Sequence, residues 1–144
     1  MITIGRKDRI DLPELDLYNI KAKVDTGAYG CALHCHHIQV VRRGNIDVLS
    51  FKVLDPSHPE YEDREFIVKK FRSKSVKSSS GDAEYRYTIK TPVIIFNKSR
   101  IVEFSLTDRN RMKYPVLLGR KFITRRFVVD VQLKDISFNL KKLT

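Results

Sequence analysis

The chain has 144 residues, 42% of them hydrophobic and 31% charged, the balance of a globular protein rather than a disordered or fibrous one. A formal charge of +11, from 28 basic and 17 acidic residues, excludes an acidic solvating chain and fits an acidic peptide, nucleic acid or an anionic membrane as partner, or a surface that is basic only for solubility. No apolar run is long enough to span a membrane, and Met1 to Asp8 hold no apolar signal region, so Cys31 and Cys35 read as reduced thiols of a cytoplasmic protein.

In chain order the pattern is one of short strands separated by turns. Ile2 to Ile4 and Ile10 to Leu12 are apolar pieces, and Pro13 ends the second. Residues 13–19 read as a linker. Ile20, Ala22 and Val24 then alternate with Lys21 and Lys23, the period of a half-buried strand. Ile38 to Val41 and Val48 to Val53 are β-rich, with Gly44-Asn45 between them as a hairpin turn. Asp55 to Pro59 breaks regular structure. Glu65 to Val68 and Glu84 to Ile89 are further strands. Val93 to Phe96 and Ile101 to Phe104 form a hairpin about Asn97-Lys98. One short helix is expected at Lys121 to Ile123, after Gly119. Phe127 to Val131 and Ile136 to Leu140 read as closing strands. No segment carries a long 3.6-residue period, so the reading is a single all-β domain over residues 1–144, a barrel or a sandwich.

The strand that ends at Val24 delivers Asp25-Thr26-Gly27-Ala28. A carboxylate at a strand end, on a tight turn that glycine makes easily, is a group being presented. Asp before Gly is also a common turn pair whose side chain bonds its own backbone. The feature that separates the two readings lies far along the chain. Tyr114-Pro115-Val116-Leu117-Leu118-Gly119-Arg120 again brings an apolar run to a glycine.

Together these two motifs resemble the retropepsin-like aspartic peptidases. Lys21 to Ala28, Ala32-Leu33-His34, Ser79-Ser80-Gly81, Asp108-Arg109, Met112 and Pro115 to Arg120 are similar to the bacterial and archaeal retropepsin-like group that carries the label ATP-dependent zinc protease. The chain departs from that group at Tyr29-Gly30-Cys31, where Arg-Thr-Ser is expected. The resemblance implies a retropepsin-like acid-protease β-barrel in which the late glycine strand threads beside the aspartate loop. It implies catalytic roles for Asp25, Thr26 and Gly27. It implies substrate contacts at Ala28, Leu118 and Gly119, and at Ser79, Ser80 and Gly81 on the tip of a flap hairpin running from Arg64 to Thr91. It also implies partnership with peptide-ligating ATP-grasp enzymes.

Aspartic peptidases hold one water between two carboxylates that share a proton. The chain has one Asp-Thr-Gly, so the second aspartate must come from another copy, and a homodimer is expected. Before the flap tip, five of the nine residues from Lys69 to Lys77 are basic, which favours an acidic or glutamate-tailed peptide substrate. A solvated charged face is the common alternative for such a run.

Cys31, His34, Cys35, His36 and His37 crowd one stretch, and these are residue types that zinc takes. There is no His-Glu-x-x-His helix, and neighbours in a strand point to opposite faces. The expectation is therefore no metal and no other cofactor, with Cys31 in the core and the histidines at the surface or the cleft edge. No phosphate-binding glycine loop supports ATP use. Three functions stand after this reading. The first is an aspartic endopeptidase. The second is a non-catalytic peptide-binding or regulatory module acting with an ATP-grasp ligase. The third, nucleic-acid binding, has basic charge and neighbouring aromatics behind it but no recognisable motif.

Overall fold

The computed structural model describes residues 1–77, 81, 83–108 and 113–143, with the backbone alone at 76, 77, 83 and 84. The strands are β1 (Ile2–Ile4), β2 (Lys7–Leu12), β3 (Leu17–Val24), β4 (Cys31–Arg43), β5 (Ile46–Val53), β6 (Glu65–Val68), β7 (Arg72–Lys77), β8 (Ala83–Ile95), β9 (Lys98–Thr107), β10 (Val116–Leu118) and β11 (Phe127–Val129). The helices are α1 (Arg120–Ile123) and α2 (Ile136–Lys142).

Six strands close into a barrel in the order β10, β3, β2, β8, β9 and β4, with β4 returning to pair with β10. The alternation in β3 is as expected: Ile20, Ala22 and Val24 are buried and Lys21 and Lys23 exposed. Closure buries the inner faces around Leu33, Phe104, Leu118 and Phe122 and removes the open edges that a short sheet would leave.

Three elements depart from expectation. Residues 13–19 are not all linker: Pro13–Leu15 is a 3-10 turn, and β3 already starts at Leu17. The hairpin between residues 64 and 91 is narrower than expected, because β6 pairs with β5 whereas β7 pairs with β8 from Arg72↔Thr88 to Lys77↔Ala83. β8 keeps β9 only from Tyr87 onward, so residues 72–77 and 83–86 form a two-stranded arm standing beyond the barrel.

Ile136 to Leu140, expected as a strand, lies in α2. Asp135 gives this helix no side-chain cap. Asp8, on β2, supplies it instead. Its carboxylate accepts from Ser137 N–H at 2.9 Å and Phe138 N–H at 3.1 Å, and also from Arg9 N–H at 2.8 Å. A helix start leaves N–H groups without partners inside the helix, and a carboxylate answers them in both hydrogen bonding and charge. The Ser137 hydroxyl in turn accepts from Phe96 N–H at 2.8 Å, which seals the turn between β8 and β9 against α2.

Asp8 is 1% exposed. Burial pushes its carboxyl above the ordinary value, against the pull of the three backbone donors. Asp8→Ala leaves those donors unanswered in the interior, and an expected loss of about 1–3 kcal/mol follows. Asp47→Ala removes only an exposed ion pair with Arg42, with a change within about 0.5 kcal/mol. Urea denaturation of the two variants checks the contrast.

Candidate active site

Asp25 stands directly after β3, half-buried, on a loop that β10 braces from behind. The Asp25 N–H donates to the Leu118 carbonyl at 2.9 Å, continuing the parallel β3–β10 ladder past the strand end. Beyond Gly119 the bonds cross back: Arg120 N–H donates to Ala28 O and Lys121 N–H to Tyr29 O, both at 2.8 Å. The Arg120 guanidinium donates to Thr26 O at 3.0 Å. Five consecutive loop residues, Asp25 to Tyr29, are thus held from the β10–α1 junction at four of their positions.

Gly119 makes this approach possible. A Cβ there would lie 2.2 Å from Gly30 O and 2.8 Å from Ala28 O, distances that only a displaced backbone could relieve. Gly27 is small for a different reason than expected. Its φ is not in the left-handed region, so the turn does not require glycine. Its N–H donates to Asp25 Oδ1 at 3.0 Å, and a Cβ would sit 3.3 Å from that same oxygen. The residue lets its backbone approach the carboxylate.

The other expected site residues spread around this loop. Thr26 and Gly27 are exposed, Ala28 is half-buried, and Tyr29 is 66% exposed. The Leu118 side chain is wholly buried in the core, and it is its carbonyl that reaches the Asp25 loop. Gly81 is exposed with left-handed φ of 87°. Ser79 and Ser80 lie outside the described residues, as do Arg109 and Met112. A groove of about 210 Å³ lies at the root of the arm between Tyr85, Arg86, Tyr87, Leu106, Asp108 and Ile38. Glu103 ties the arm to the site: it pairs with Arg72 of β7 at 3.4 Å and with Lys121 of α1 at 3.3 Å, and accepts from the Thr88 hydroxyl.

The histidine stretch differs from expectation in two ways. His34 is wholly buried rather than at the surface. His36 and His37 do not diverge, because a bulge between His36 and Gln39 puts His37 at φ 52° and brings the two rings to 4.5 Å. Both thiols are buried: burial pushes Cys35 well above its ordinary value, with the charge of Asp108 adding to it, and burial raises Cys31 likewise. His34 meets Asp55 and His58, two residues that the sequence reading did not connect with it. Among the described residues, no helix is long and apolar enough to cross a membrane.

The RimB-like family, described as the retropepsin-like aspartic endopeptidase RimB, matches residues 3–139. The chain belongs to the RimB-like family. Curated relatives are named "Probable alpha-L-glutamate ligase". That of Desulfotalea psychrophila is 34% identical over 135 residues, covering 91% of this chain and 28% of the relative. That of Parasynechococcus marenigrum is 34% identical over 133 residues, covering 90% and 28%. The chain thus spans 28% of the length of these relatives. A crystal structure of a Legionella pneumophila protein of unknown function shares the fold with a TM-score of 0.74 at 27% identity, covering 94% of this chain and 98% of that one. The family match agrees with the resemblance carried by Asp25 to Ala28 and Pro115 to Arg120.

The bracing of the RimB-like loop generates a direct contrast. Gly119→Ala forces a Cβ into two carbonyl oxygens and is expected to cost about 3 kcal/mol or more, at or above the top of the overpacking range. Gly30→Ala, with nothing within 4 Å of the new Cβ, is expected to melt within a few degrees of the parent. Thermal denaturation of both proteins distinguishes a tight junction from a loose one.

Proposed function

We propose that this chain is a retropepsin-type aspartic endopeptidase, a single domain over residues 1–144 that works as a homodimer with one Asp25 from each copy. The observation that carries the reading is the Asp25 loop. A carboxylate is presented at a strand end, one of its oxygens is held by the Gly27 N–H, and the backbone is fixed by β10. Exposed Thr26 lies beside it, where its hydroxyl can bond the same loop of a second copy across a two-fold axis.

In such a dimer the two carboxylates cannot both ionise easily, and the pair holds one proton. The ionised Asp25 takes a proton from a water between them, and that water attacks the scissile carbonyl. The protonated Asp25 donates to the carbonyl oxygen, and the tetrahedral adduct then collapses with proton transfer to the leaving nitrogen. Gly27, Ala28 and the arm of β7 and β8 would line the substrate, and Ser79, Ser80 and Gly81 are proposed as substrate contacts with them. We assign the reaction to the cytoplasm and to acidic or glutamate-tailed peptides. The support is the +11 charge, exposed Lys69, Lys70 and Lys74 at the arm, and relatives named as glutamate ligases.

The 28% share of the relatives' length favours a second reading. In it the domain serves an ATP-grasp ligase as a non-catalytic peptide-binding or regulatory module.

Asp25→Asn separates the two. On a pool of peptides that includes glutamate-rich ones, at acidic to neutral pH, the endopeptidase reading expects cleavage by the parent protein. It expects a fall of about 10²–10⁴-fold in Asp25→Asn, with the circular dichroism spectrum unchanged. Equal binding of polyglutamate by both proteins, with turnover in neither, supports the module instead.

A further inference from the structure

We propose that His34, Asp55 and His58 form a site for one divalent transition-metal ion of the zinc type, which pins the turn at residues 55–58 to the barrel. The site shares no residue with the Asp25 loop and stands independently of the peptidase reading.

The geometry begins with His34 on β4, whose ring is 0% exposed. Its Nδ1 lies 3.2 Å from the Thr107 carbonyl oxygen at the end of β9. A carbonyl only accepts, so Nδ1 carries the proton there, and a neutral imidazole then presents a lone pair at Nε2. That Nε2 faces Asp55 Oδ2 in close contact. A carboxylate oxygen also offers lone pairs alone. Two such atoms stay together only around a positive centre, either a proton or a metal ion.

His58 decides between them. A proton satisfies the His34–Asp55 pair by itself and gives His58 no part. Yet one donor atom from each of the three residues lies within 4.8 Å of the others. The His58 N–H donates to Asp55 O at 3.0 Å, so the chain turns back and carries the second imidazole to the first. Two imidazoles and one carboxylate are a ligand set that zinc takes, with bonds of about 2.0–2.2 Å and a fourth position left for water. Seating an ion requires the donor atoms to settle at about 3.3 Å from one another, the edge of a tetrahedron with such bonds. His34 Nε2 and Asp55 Oδ2, which touch directly, have to part for this, and Asp55 and His58, both half-buried on the surface turn, have room to move.

The surroundings hold the donors as ligands are usually held. Metal-binding histidines commonly donate their other ring N–H to a carbonyl, and ligating carboxylates are themselves hydrogen-bonded. Here Thr107 O fixes His34. The other Asp55 oxygen, Oδ1, accepts from Ser57 N–H at 2.8 Å and from the Ser57 hydroxyl, which leaves Oδ2 turned toward the histidines. The nearby His36–His37 pair is committed differently: His36 Nδ1 lies 2.6 Å from Leu54 O, and its Nε2 faces the Tyr61 hydroxyl.

The test titrates cobalt(II), then zinc(II), into the chelator-stripped protein. One equivalent of cobalt is expected to give the visible d–d bands of a four-coordinate nitrogen–oxygen site without a thiolate charge-transfer band. Zinc is expected to displace it and to raise the melting temperature. His58→Ala and Asp55→Asn are each expected to weaken binding at least tenfold, whereas His37→Ala binds as the parent does. Absence of stoichiometric binding overturns the proposal. So does parent-like affinity in His58→Ala, which leaves His34 and Asp55 sharing only a proton. A thiolate band, or loss of binding in His37→Ala, places the ion elsewhere and overturns it equally.

Discussion

The structure depends on one close approach: the backbone at Gly119 lies against the carbonyls of Ala28 and Gly30, with no side chain between them. That contact lets β10 run between β3 and β4 and bond to both. It closes the barrel and at the same time fixes the loop that carries Asp25. Any side chain at 119 would separate the two strands, so barrel closure and presentation of the carboxylate are a single constraint. The apolar residues before it serve the same end. Val116 and Leu118 are wholly buried, and their burial drives the strand into the position from which the Leu118 carbonyl reaches the Asp25 N–H.

The ion pairs of Glu103 extend this constraint outward. Glu103 is mostly buried, and Lys121 and Arg72 hold its carboxyl below the ordinary value even though burial opposes them. Lys121 sits on α1, immediately behind the Asp25 loop, and Arg72 sits at the root of the arm. One carboxylate therefore touches both the element that braces the loop and the element that stands beyond the barrel.

Local pattern revealed what local physics determines. The alternation of Ile20, Ala22 and Val24 showed the strand and its inner face, and the threaded junction was implied by the family resemblance that the two motifs carry. Other features needed partners far away in sequence. α2 was not legible because its cap is Asp8, well over a hundred residues earlier; Ile136 to Leu140 alone alternates well enough to read as a strand. The hairpin between residues 64 and 91 was expected from the resemblance, but its first strand was not legible, because Arg72 to Lys77 is basic and lacks an apolar face, its pairing with β8 being supplied by the backbone. His36 and His37 were expected to diverge, and a bulge that no local signal announced brought them together. His34, Asp55 and His58 meet only because β5 returns along β4 and brings the turn after it beside His34; the Asp-x-x-His spacing within that turn was the one clue available.

The most direct test of the dimeric aspartic mechanism is subunit mixing. Parent protein at fixed amount is equilibrated with an equal amount of Asp25→Asn, and its peptide cleavage is measured. If each site needs one Asp25 from each copy, half of the parent subunits end in mixed, inactive pairs and the activity falls to about half. Cleavage unchanged by the added variant would mean that a single chain carries the whole site, and would contradict the account.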